Sequence, residues 1–160
     1  MLVNLYRSKT PIAVFSLPLV VAALASHIFF QTYTADAHFW NWQNVMDEWV
    51  QKTAFMHFAV TVFITALIAH QINNVFNRQS FYSKASFLPG LIYVLCLFGL
   101  NQLHFSPILL SHLFLVFALG QFLKLRRQEG AKTIMFWGSL FLGMALIFST
   151  FSIGFVMLCW

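Results

Sequence analysis

The chain has 160 residues, of which 60% are apolar and only 8% charged, with a formal net charge of +5. Soluble domains carry roughly 25% charged residues, so this sequence cannot build a water-facing surface around a core. The positive charges punctuate apolar blocks instead of lining one polar face, which argues against nucleic acid and for membrane topology signals.

The class expected is all-α integral membrane, one polytopic domain over 1–160 with five or six transmembrane helices. A crossing helix needs about 20 mostly apolar residues. The first is expected at 11–30, "PIAVFSLPLVVAALASHIFF". Pro11 suits a helix start, and Pro18 falls inside, where it removes a backbone bond. Arg7 and Lys9 precede this run and His27 follows, with no small-x-small cleavage pattern, so it reads as an uncleaved span.

The stretch "TADAHFWNWQNVMDEWVQK", 34–52, holds Trp40, Trp42 and Trp49 and three of the four acids, Asp36, Asp47 and Glu48. Phe39, Trp42, Met46 and Trp49 recur at spacings of three and four, with polar residues largely opposite. An amphipathic interfacial helix is expected at about 39–51, capped by Asp36 and anchored in the headgroup layer by the three indoles.

Further spans are expected at 53–72, 87–103, 107–123 and 132–160. The third is short and reads as extended by "NQLHF". The last is too long for one upright span, and "FSTFSIGF" offers small and hydroxyl residues for a kink or hairpin. The chain closes on "FVMLCW". Either Trp160 is itself an interfacial anchor or the native protein continues past it. Gly138 and Gly143 are expected to form a small-residue groove for helix packing. Asn73, Asn74 and Asn77 read as capping the inner end of the second span.

Eight of the nine basic residues fall before the first span or in loops of one parity; only Lys52 lies on the other side. The N-terminus is therefore expected in the cytoplasm and the Trp-rich stretch outside. Cys96 and Cys159 lie in apolar runs without a CxxC pattern, so no disulfide framework is indicated.

Six histidines are present: His27, His38, His57, His70, His104 and His112. On this topology all but His70 lie toward the outside. The plain reading bonds them to backbone carbonyls or to hydroxyls such as Ser26, Ser106 and Ser111, because intramembrane polar groups face the bundle interior. The sharper reading pairs His57 with His112 or His27 at matched depth as axial ligands of a b-type haem.

The segments "LYRSKTPI", "HQINNVFNRQSFYSKASFLPGLIYVL", "FSPILLSHLFLVFALGQFLKL" and "FWGSLFLGMALIFSTFSIGF" resemble an uncharacterised multi-pass inner-membrane family of one Gram-negative phylum. The resemblance covers most of the chain and implies a bacterial inner-membrane location; it brings no activity, and members of that family are longer. More distantly, an acid just outside the first span followed by an interfacial helix looks like polytopic glycosyltransferases that use polyprenyl-phosphate sugars. That likeness implies a catalytic role for Asp36, as base or metal ligand.

Three functions are thus expected in order: a non-catalytic, partner-binding subunit of an inner-membrane complex; a lipid-linked-sugar glycosyltransferase using Asp36; and a haem b electron-transfer subunit. The expected partners are the lipid bilayer and other membrane subunits. No cofactor is the leading expectation, with haem b the alternative.

Overall fold

The computed structural model describes residues 11–26, 54–79, 86–125 and 130–149. Among these residues the protein is entirely helical: α1 (Pro11–Ala25), α2 (Ala54–Arg78), α3 (Leu88–Gly99), α4 (Pro107–Leu125) and α5 (Ala131–Phe148). Three of the helices, within α2, α4 and α5, are long and apolar enough to cross a membrane. The expected interfacial helix at 39–51 lies outside the described residues, as do 150–160.

The long helix α2 is the centre. It packs against α1, α3 and α4, while α5 packs chiefly on α4. One core cluster joins Leu17 and Val21 of α1 to Ala69 of α2 and to Leu91 and Val94 of α3. A second joins Ile64 and Ile68 of α2 to Leu97, Leu103, Phe105 and Leu109.

The outer surface is more apolar than a soluble fold tolerates. Phe15 is 75% exposed and Phe63 68%, and Phe55, Phe136 and Leu100 are also turned outward. The interior meanwhile buries His57, Thr61, Thr65, Asn73, Ser86, Ser106 and Ser111. Lipid tails offer no reason to hide apolar side chains, so small and polar groups pack inside and large apolar ones face out.

Local sequence explains several helix starts. Pro11 and Pro107 open α1 and α4, where a missing N–H costs nothing. Pro18 lies inside α1, as read from the sequence. At the start of α3 every first-turn donor is accounted for. Leu88 N–H donates to Ser86 Oγ at 3.1 Å, and Pro89 has no N–H. Gly90 N–H donates to Asn73 Oδ1 at 2.7 Å, and Leu91 N–H to Phe87 O at 3.3 Å.

The end of α3 differs from the expected span at 87–103. The helix has 12 residues, about 18 Å at 1.5 Å per residue, against a hydrocarbon core of about 30 Å. It stops because Asn101 takes a left-handed conformation, φ 55°. Gln102 N–H then bonds Leu97 O at 2.8 Å and Asn101 N–H bonds Phe98 O at 3.0 Å. This is the Schellman closure, and asparagine is one of the few residues that tolerate its left-handed position. The segment "NQLHF" does not prolong the helix; it folds inward, burying Leu103 and Phe105.

Of the expected last span, 132–160, the described part reaches Ser149. Helix α5 ends at Phe148, and Ser149 is extended while its N–H still reaches Ala145 O at 3.0 Å.

Candidate functional site

Along α2, positions 57, 61, 65, 69, 73 and 77 read His, Thr, Thr, Ala, Asn, Asn. A spacing of four keeps these side chains in one slowly winding row. All but Asn77 are buried. The row forms a polar seam through the middle of the bundle, and its two ends do different things.

At one end His57 meets the link between α3 and α4. Phe105 N–H donates to His57 Nε2 at 3.2 Å, and Thr61 Oγ donates to His57 O at 2.8 Å. An imidazole that accepts at Nε2 carries its proton on Nδ1. The inward-folded link has few backbone partners of its own, so His57 satisfies a buried donor that would otherwise be orphaned. His112, on α4, pairs through Nδ1 with the Tyr93 hydroxyl at 3.1 Å. Axial metal ligation through His57 Nε2 would require breaking its bond to Phe105. His27, Asp36, Trp40, Trp42 and Trp49 lie outside the described residues. Among the described residues, no group of three or more His, Cys, Asp or Glu side chains is arranged to hold a metal.

A substitution separates the backbone role of His57 from a cofactor role. His57→Leu should destabilise the protein by about 2 kcal/mol, because the Phe105 N–H is left buried and unbonded. His57→Gln, whose side-chain oxygen accepts, should recover much of that. Detergent-denaturation midpoints of the two variants check it; equal loss in both would contradict an acceptor role.

At the other end the seam becomes a clasp between α2 and α3. Asn77 Nδ2 donates to Ser86 O at 3.0 Å, and Ser86 N–H donates back to Asn77 Oδ1 at 2.8 Å. One turn deeper, Asn73 accepts from Gly90 N–H. Asn73–Asn77 and Ser86–Gly90 are both spaced by four, and they pair in antiparallel order across the hairpin. The expectation that these asparagines cap their own helix is corrected: Asn73 and Asn77 cap the next one. The matching spacing in "NNVFN" and "SFLPG" was a signal in the sequence, readable once the two helices are known to be antiparallel neighbours.

Beyond the clasp, the ends of α2 and α4 and the start of α5 border an open cavity of about 470 Å³, with Arg78 and Lys124 exposed at it. Arg78 and Lys124 line it, with the amides of Gln71, Asn74, Gln79 and Gln121. Val75, Val116 and Phe117 form an apolar wall, and Gly120 leaves room between them. Gln79 Nε2 donates to Leu123 O at 3.2 Å, tying the two helix ends together. Lys124 Nζ donates to Gln121 Oε1 at 3.0 Å. Sequence reading missed this cavity, although Gln71, Asn74 and Arg78 follow a one-face spacing of three and four.

The two glycines of α5 part company. A Cβ on Gly138 would lie 2.7 Å from the Phe122 ring, so Gly138 is a point of close approach between α4 and α5. Ser111 Oγ donates to Ala145 O at 3.1 Å, and Phe117–Phe141 and Phe114–Phe148 stack across the same contact. A Cβ on Gly143 would meet nothing within 4 Å. Five residues turn a helix so that these glycines point about 140° apart. They do not share one groove.

The fold and the seam together define an α-helical membrane protein. Comparison of the chain with family models, with curated proteins and with solved structures finds no match.

Proposed function

We propose that this chain is a multi-pass protein of a bacterial inner membrane that serves as a non-catalytic, partner-binding subunit of a membrane complex. The observation that carries the reading is the asymmetry of α5. Its buried residues are Gly138 and Ala145, on the side facing α4. The opposite side presents Phe136, Leu140, Met144 and Ile147, all exposed, with Gly143 among them. Positions 136, 140, 143, 144 and 147 follow one helical face. A small residue set among large apolar ones is the pattern that lets a second transmembrane helix approach closely. The occupant proposed is an apolar helix of another subunit.

A photo-crosslinking residue at Leu140, in native membranes, should give one discrete protein adduct. The same residue at Phe15, on the outward face of α1, should label lipid. Lipid labelling alone at Leu140 sinks the subunit reading.

The orientation proposed has the N-terminus in the cytoplasm. Its support is that Arg78 ends α2, Lys124 lies in the last turn of α4 and Lys132 in the first of α5, with Arg78 and Lys124 meeting around one cavity. Basic residues gathered at one end of a bundle match the bias toward positive cytoplasmic loops. In a Cys96→Ser, Cys159→Ser background, Asn44→Cys should react with an impermeant thiol reagent in intact spheroplasts, and Gln128→Cys should not. The reverse pattern overturns the orientation.

A further inference from the structure

We propose that the cavity at the basic end of the bundle binds the phosphate-bearing headgroup of an anionic membrane lipid. The cavity has the volume of a small-molecule site, within the usual range of about 300–1,000 Å³. Its lining divides by chemistry. Arg78 and Lys124 supply positive charge, and the amides of Gln71, Asn74, Gln79 and Gln121 supply further donors. Among the described residues, no carboxylate lines the cavity. A guanidinium and an ammonium facing one small volume suit phosphate oxygens, whose bonds to charged donors are short and strong.

The apolar wall of Val75, Val116 and Phe117 identifies the ligand as an amphiphile. A soluble phosphate ester leaves that wall wet, whereas a lipid covers it with the start of its acyl chains. The location agrees: the cavity lies at the ends of helices long enough to cross a membrane, where the headgroups are. Basic pockets between helices on the positively charged side are the sites where anionic headgroups dock. The bond from Gln79 to Leu123 O holds α2 and α4 at fixed separation, so the site exists before the lipid arrives.

The test uses the full chain in a non-ionic detergent, titrated with short-chain phosphatidylglycerol, short-chain phosphatidylcholine or glycerol 3-phosphate and read by native mass spectrometry. Phosphatidylglycerol should bind saturably at one equivalent. Replacing both cations, Arg78→Gln with Lys124→Gln, should weaken it by about a hundredfold, about tenfold for each charged contact. Gly120→Leu leaves the charge unchanged and fills the cavity. Its new Cβ meets the Val75 side chain at 3.4 Å, at the near edge of ordinary contact. It should abolish the single tight site. Lys132→Gln, outside the lining, should change binding less than about twofold. Equal binding of the two lipids, or indifference to both the cation and the Gly120 variants, would overturn the proposal. Glycerol 3-phosphate binding as tightly as the lipid would also overturn it, by showing that the site takes a soluble phosphate ester.

Discussion

Gly90→Ala should be among the most damaging single substitutions in the described residues, costing about 3 kcal/mol, the upper end of the range for overpacking. A methyl group at Gly90 would lie 2.5 Å from Ala69 O and 2.5 Å from Asn73 Nδ2. The first of these is backbone in the middle of α2, so relief requires moving a helix. Movement of α3 would also break the Gly90–Asn73 bond. Two other glycines calibrate the effect. At Gly99 a methyl group meets nothing within 4 Å, and Gly99→Ala should be neutral or stabilise by up to about 1 kcal/mol through helix propensity. Gly138→Ala should fall between them, because it meets the Phe122 ring, which can swing away. Unfolding by a denaturing detergent, followed by circular dichroism, ranks the three. A Gly90→Ala protein as stable as the parent would refute the close α2–α3 contact.

Asn73→Ala should cost about 2 kcal/mol, and Asn77→Ala less than about 1. The contrast matters because Asn77 makes two bonds to Ser86 and Asn73 a single one to Gly90. A count of bonds therefore ranks them the wrong way round. Burial decides instead. Asn73 is 1% exposed, so its loss strands a helix-terminal N–H where water cannot replace the partner. Asn77 is only part-buried at the end of α2, and water can take over both of its bonds. The same denaturation series measures both. Equal losses would mean that the lower clasp is as dry as the upper one.

Much of this architecture was legible in the sequence, for identifiable reasons. The low charge and long apolar runs required helices in lipid, and prolines at 11 and 107 marked two starts, because those are local properties. The end of α3 was not legible. Nothing local announces that Asn101 turns left-handed, and "NQLHF" has a composition that suits a helix extension equally well. The roles of Asn73 and Asn77 were hidden for another reason: their partners, Gly90 and Ser86, lie on a different helix, so only the hairpin register reveals them. The basic-end cavity is assembled from α2, α4 and α5 and has no motif of its own. The histidines illustrate the middle ground. Sequence placed His57 and His112 inside the bundle; their partners, the Phe105 N–H and the Tyr93 hydroxyl, depend on packing.

The mass of the native particle tests the central proposal most directly. Gentle extraction from native membranes in a mild detergent, followed by native mass spectrometry, should yield this chain in a stable complex with a second, different subunit. Gly143→Leu, whose Cβ meets nothing within 4 Å among the described residues, fills the outward notch of α5 and should release the chain from that complex. A monodisperse particle of the chain alone, or a complex unaffected by Gly143→Leu and by bulk at Leu140, would contradict the account.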